Sequence, residues 1–161
     1  KTANGRMSEA QAAIALMSLE DFSRNQKNNA ALYQLYEGLL DSIPGLHLIA
    51  PAGVDFSNYQ YVVCTVDKQE FGLSRDLLID ILKAENVIAR RYFYPGIHRS
   101  IPFAKEPPQY LDSLSNTDNV CSSCIPFPIG ALVSSESVER ICDLPMKIHP
   151  SSAQIRIRHE K

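Results

Sequence analysis

The ten residues Arg90-Arg91-Tyr92-Phe93-Tyr94-Pro95-Gly96-Ile97-His98-Arg99 hold the densest chemistry in the chain. Guanidinium forks grip carboxylate or phosphate through paired hydrogen bonds. Phenol hydroxyls and an imidazole can orient a sugar or move a proton. Arg90, Arg91, Tyr92, Tyr94 and His98 are therefore candidate substrate-side residues. The same residues also read as a strand with solvated basic side chains and core aromatics, and residue type alone leaves both readings open.

A second candidate lies at the front. Asn4, Gly5 and Arg6 place amides and a cation just ahead of a helix start. Such a terminus holds anions such as phosphate. Ser8 and Gln11 have the spacing of a capping box. Ala10, Ala13, Ile14 and Met17 recur at helical spacing, with Ala12, Leu16 and Leu19 on a neighbouring face. A helix apolar on nearly all sides is expected to be buried. A capped core helix with a polar lead-in is the plainer reading of the same pattern.

The third is Cys121-Ser-Ser-Cys124. Structural zinc needs four ligands, usually from two such knuckles, and only one is present without a neighbouring histidine. A redox motif would want a preceding strand and a helix N-terminus. Two small thiols in a packed helix is the better reading, so no metal is expected. With Cys64 and Cys142 they are read as reduced thiols of a cytoplasmic protein. No nucleophile elbow, P-loop, HExxH or GxGxxG occurs, and the four histidines are scattered.

Composition narrows the class. The 161 residues suffice for one domain with a real core. A net charge of -2 gives no basic footprint for nucleic acid. No apolar run approaches the ~20 residues that span a membrane, and no signal peptide is visible. The first residue is Lys1, so the chain is expected to begin downstream of a natural start or to have been processed.

The elements that must position these groups follow from periodicity. One helix is expected to Phe22, then a polar stretch, Ser23 to Asn29, as an exposed helical turn or a kink. A second helix follows, carrying Leu32, Leu35, Tyr36, Leu39 and Ile43, and stopped by Pro44-Gly45. Leu46 to Ile49 is a short strand, and Tyr59 to Val66 is the clearest strand, expected inside a sheet. Lys68 to Gly72 is a loop. Ser74 caps a helix to Glu85, with Asn86 as a left-handed terminator. Val87 to Tyr94 reads as a returning strand and Pro102 to Tyr110 as an irregular loop. Leu111 to Cys124 is weakly helical, with Asn116 or Thr117 as a cap of its second half. Ile125-Pro-Phe-Pro128 is an edge or extended piece. Ser134 caps a last helix ended by Pro145, and Gln154 to Arg158 alternates like a half-buried strand. The expected fold class is α+β, a small, mostly antiparallel sheet covered by helices.

Asn4-Gly5-Arg6-Met7-Ser8-Glu9-Ala10-Gln11-Ala12-Ala13 resembles the start of the small domain of the DegT family, pyridoxal-phosphate-dependent nucleotide-sugar aminotransferases. Ser57 to Val63 is similar to that family's first sheet strand, and Leu73 to Ile88 to its next helix and turn. Ala89 to His98 is similar to the segment near its active-site mouth. Phe127 to Gly130 and Val133 to Ile141 are similar to its closing segment and helix. The resemblance assigns 1–144 to the small domain and leaves 145–161 as an atypical tail, because Pro145 stands where the family's helix continues.

The resemblance implies amino transfer from glutamate to a keto-sugar nucleotide in a homodimer, with pyridoxal phosphate as electron sink. It implies that Asn4 reaches the cofactor phosphate of the partner subunit. It places the Schiff-base lysine in a domain outside this chain. The seven lysines, Lys1, Lys27, Lys68, Lys83, Lys105, Lys147 and Lys161, lie in polar or terminal settings, so the chain alone is expected to be inactive. A sugar dehydratase of the same family and a non-catalytic dimerisation or sugar-binding module are the alternatives.

Overall fold

A computed structural model of the chain describes residues 5–50, 53–101 and 114–159. Asn4 and the Pro102 to Tyr110 loop lie outside the described residues. The described chain is α+β: a three-stranded antiparallel sheet of order β1-β2-β3, packed with helices.

The two apolar runs belong to one helix, with the polar stretch between them as a helical turn, the first of the two alternatives. Helix α1 spans Glu9–Leu40. Its 32 residues make a rod about 48 Å long. Ser8 and Gln11 close the capping box as the spacing indicated. The polar stretch between the two apolar runs does not break the helix. Arg24 pairs with Asp21 at 2.7 Å along it, and Gln26 Nε2 donates to the Ser57 carbonyl at 2.9 Å. The C-terminal half carries the burial, through Leu32, Tyr33, Tyr36 and Leu40. The N-terminal half does not lie in the core as its all-round apolarity suggested. Ile14 is 65% exposed and Leu19 68%. Among the described residues no other element packs along that half of the rod, so its apolar side chains face outward.

Strand β1 (Leu46–Leu48) pairs with β2 (Val62–Val66), which pairs with β3 (Cys124–Phe127). Both pairings are antiparallel, and β2 is central as its β-branched run required. It starts later than the sequence suggested. Tyr59 takes a positive φ of 48°, and the Ser57 and Asn58 side chains accept from the Tyr59 and Gln60 amides, forming a turn. Along β2, Val62, Cys64 and Val66 are buried and Val63 and Thr65 are half-buried, so one face makes the core. β3 is an edge, where Pro126 opposite Val63 is tolerated.

The expected Lys68 to Gly72 loop contains one helical turn, α2 (Lys68–Phe71). The Asp67 carboxylate caps it by accepting from the Gln69 and Glu70 amides, a local signal stronger than the loop composition. Gly72 closes it at φ 89°. Helix α3 (Arg75–Ala84) starts at Ser74 and ends at Asn86, whose φ is 61°, both as read from sequence. Helix α4 (Ser115–Ser123) takes Leu114, not Asn116 or Thr117, as its N-cap, with no side-chain cap bond.

Helix α5 (Ser135–Ile148) has the expected Ser134 cap but runs through Pro145. The ring removes one N–H. It is itself buried, and its carbonyl still accepts from His149 N–H, so core packing holds the helix past it. The expected terminal strand is instead helix α6 (Ser152–His159). On a helix, residues two apart point in nearly opposite directions. Ile155 packs on the core accordingly, while Ile157 is exposed. Phe71 and His149 join α2 to this end, their rings 5.8 Å apart. Among the described residues no helix is long and apolar enough to cross a membrane.

The asymmetry of α1 gives the first test. Leu40→Ala, at a fully buried site, is expected to cost about 2–5 kcal/mol in urea denaturation. Leu16→Ala on the exposed half should cost less than about 0.5 kcal/mol. A comparable loss at both would mean that the N-terminal half is packed within this chain.

The core thiols give a second. Burial, with smaller effects of neighbouring Cys142 and Cys124, pushes Cys64 up to about 12, and burial alone pushes Cys142 up to about 12. A raised thiol pKa means less thiolate, about one part in ten thousand at pH 8. Thiol reagents at that pH should label Cys64 and Cys142 only after unfolding. Rapid labelling of either in the native chain would contradict this packing.

Candidate substrate-side groove

Residues 87–100 are the segment from which the sequence drew its substrate-side candidates, and they form turns, not the expected strand. After α3 the chain folds back on itself: Val87 N–H donates to the Leu82 carbonyl at 2.8 Å, and Tyr94 N–H to the Arg91 carbonyl at 3.3 Å. Two acidic sites hold the segment down, and they explain why it does not extend.

The first is on α3. Arg91 Nε donates to Asp76 Oδ1 at 2.6 Å, and its Nη2 to Asp80 Oδ1 at 3.2 Å. Asp76 and Asp80 are four apart and share a helix face. Asp76 also accepts from Arg75 Nε at 2.8 Å. Burial opposes ionisation of Asp76, but Arg91 and Arg75 together outweigh it and hold its carboxyl below the usual range. Arg75 itself is only 2% exposed. Its Nη1 donates to the Cys124 carbonyl on β3 at 2.7 Å, and the Tyr94 ring lies 5.4 Å from its guanidinium carbon. Tyr94 is therefore a lid on a buried cation.

The second is on α4. His98 Nε2 lies 2.8 Å from Asp118 Oδ1, which also accepts from Arg99 Nε at 2.6 Å. Arg99 Nη2 reaches the other carboxylate oxygen. Hydrogen bonds from Arg99, then His98, hold the Asp118 carboxyl far below the carboxylate range. Gly96 makes this close approach possible. A Cβ there would sit 2.6 Å from His98 Cε1, and its φ of 99° suits glycine.

Beside this segment the chain offers an open groove of about 320 Å³. Gln60, Tyr61, Arg90, Tyr92, Phe127 and Ile129 line it, among others. Tyr61 and Tyr92 rings are 5.5 Å apart, and Tyr92 stacks on Phe93 at 4.1 Å. The Tyr61 hydroxyl, more than burial, raises the Tyr92 phenol above its ordinary value, against the pull of Arg90's charge.

The five sequence candidates therefore separate. Arg90 and Tyr92 share the groove. Arg91 and His98 are tied to carboxylates, and Tyr94 covers Arg75. Sequence reasoning did not single out Tyr61, Asp76, Asp80 or Asp118. The i, i+4 spacing of the α3 pair was a readable signal, whereas nothing local links Asp118 to His98 twenty residues away.

Cys121 and Cys124 do not share one element. Cys121 lies in α4 and Cys124 starts β3, and both are buried free thiols. Among the described residues no group of three or more His, Cys, Asp or Glu could hold a metal. Pyridoxal phosphate does not fit the described residues alone. A Schiff-base lysine must be desolvated, and Lys27, Lys68, Lys83 and Lys147 are all exposed.

Comparison with known proteins agrees with this architecture. The DegT/DnrJ/EryC1/StrS aminotransferase family model matches residues 2–144. The chain is 33% identical over 143 residues to a dTDP-4-amino-4,6-dideoxy-D-glucose transaminase of Shigella dysenteriae, covering 86% of this chain and 37% of that protein. It is 31% identical to the Escherichia coli enzyme of the same name, covering 88% and 38%. The solved structure of DesI, determined in the presence of its TDP-sugar product, superposes with a TM-score of 0.88 at 30% identity. That match covers 96% of this chain and 39% of DesI. The chain thus spans less than two fifths of the curated relatives it matches. Across nearly all of its own length, it belongs to the DegT/DnrJ/EryC1/StrS aminotransferase family, whose members depend on pyridoxal phosphate.

Proposed function

We propose that this chain is the C-terminal portion of a cytoplasmic, homodimeric aminotransferase that passes an amino group from glutamate to a keto-sugar nucleotide. The observation that carries this reading is the likeness, at 30% identity over 96% of the chain, to DesI solved with its TDP-sugar product. The two curated relatives named above are transaminases, which favours amination over sugar dehydration.

In this reading the exposed half of α1 meets the remainder of the enzyme. Ile14, Leu16, Met17, Leu19 and Phe22 are exposed and point in several directions around the helix. Cover on more than one side suits the rest of the subunit together with a second copy. Asn4, just ahead of that half, would reach the cofactor phosphate of the partner subunit. Arg90, Arg91, Tyr92, Tyr94 and His98 stand on the substrate side, with Arg91 and His98 shaping the segment through their carboxylates.

A chimaera tests it. This chain replaces the matching portion of the Shigella dysenteriae relative, and the product is given pyridoxal phosphate, glutamate and dTDP-4-keto-6-deoxyglucose. Amination with stoichiometric 2-oxoglutarate is expected, and no turnover is expected from this chain alone. A folded, cofactor-loaded chimaera that leaves the ketone untouched would sink the reading, as would turnover by this chain without the remainder.

A further inference from the structure

Residues 90–99 carry four basic side chains, and the fold treats them unequally. Arg91 is taken by Asp76 and Asp80. His98 and Arg99 are taken by Asp118. Arg90 is exposed and has no hydrogen bond or ion pair among the described residues. It stands on the rim of the groove formed by Gln60, Tyr61, Tyr92 and Phe127. A cation with no carboxylate partner among the described residues, beside carboxylates that hold its neighbours, suits an anion from outside. A guanidinium prefers oxyanions that accept two parallel bonds, and phosphate does so.

The groove adds a second requirement. Tyr61 and Tyr92 meet at an interplanar angle of 50°, and the Tyr92–Phe93 stack backs them. Phe127 and Ile129 supply an apolar floor, and Gln60 supplies an amide. Aromatic faces next to one cation suit a ligand with a flat ring at one end and phosphate at the other. Its volume of about 320 Å³ is at the small end for ligand sites, enough for part of a nucleotide.

We infer that Arg90, with Tyr61 and Tyr92, forms the subsite for the nucleoside diphosphate half of the substrate: Arg90 takes the diphosphate and the tyrosines take the base. Arg91, His98 and Arg99 do not touch this half. They fix the segment that presents Arg90. The inference rests on the nucleotide-sugar reading above, and it adds which residues meet which part of the ligand.

Calorimetric or NMR titration of the full 161-residue chain with dTDP, thymidine and inorganic pyrophosphate tests it at fixed salt. Wild type is expected to bind dTDP more tightly than either fragment. Arg90→Ala should weaken dTDP and pyrophosphate at least tenfold while leaving thymidine within about twofold. Arg90→Lys should recover part of the loss, because an ammonium keeps the charge but not the fork. Tyr92→Ala should weaken thymidine and dTDP but spare pyrophosphate. Circular dichroism checks that each variant folds, and the exposed position of Arg90 makes both substitutions mild. Equal dTDP affinity in wild type and Arg90→Ala overturns the subsite, as does absence of dTDP binding by wild type. A chimaera that aminates while Arg90→Ala binds normally removes only the subsite. Arg90-dependent dTDP binding with a loaded but inactive chimaera removes only the aminotransferase reading.

Discussion

Tyr36, Cys64 and Cys142 meet where α1, β2 and α5 converge, and the rest of the domain depends on burying that contact. All three are essentially inaccessible; burial raises the pKa of each, with smaller contributions from the neighbouring thiols at Tyr36 and Cys64. A three-stranded sheet cannot hold itself together in water with its apolar face bare. The C-terminal half of α1 and the length of α5 cover that face. The Tyr36 hydroxyl would be costly to bury unpaired. It donates to the Pro128 carbonyl at 2.8 Å, and its ring lies 5.9 Å from Phe127. That one side chain thus fixes the exit of β3, and Phe127 and Pro128 are also groove wall. Core and candidate site share a boundary.

Electrostatics complete what packing begins. The segment after α3 is rich in cations and aromatics, and such a stretch could extend as an edge strand. Here the carboxylates of α3 and α4 hold it in turns. Asp76 serves Arg75 and Arg91 together, coupling the buried cation at the sheet edge to the exposed segment. Asp118 does the same for His98 and Arg99. Exposed ion pairs contribute little stability singly, because water screens them. Their role here is to select one conformation of a short segment.

Much of this was legible in the sequence, for local reasons. Ser8, Ser74 and Ser134 announce their helices, since a cap is set by a few adjacent residues. The β-branched run to Val66 announces a central strand, and Pro126 an edge. Much of what misled was decided at a distance. The polar stretch after Phe22 left an exposed helical turn or a kink open, and the structure keeps the helix, with Gln26 held by a carbonyl thirty-one residues away. Pro145 looked like a stop, but its ring is core. Arg90 and Arg91 looked alike, and only the position of α3 separates an arginine with two acidic partners from its neighbour with none among the described residues. The apolar start of α1 was read as core because sequence periodicity records that a surface is to be covered, not by what.

On the proposal made here, the fold presents Arg90, which has no acidic partner among the described residues, to the diphosphate of a sugar nucleotide. A crystal structure of the assembled enzyme with a bound dTDP-sugar tests it most directly. Diphosphate oxygens are expected within hydrogen-bonding distance of the Arg90 guanidinium, with the base against Tyr61 or Tyr92. A dTDP-sugar bound elsewhere, with Arg90 turned to solvent or paired to another subunit's carboxylate, would contradict it.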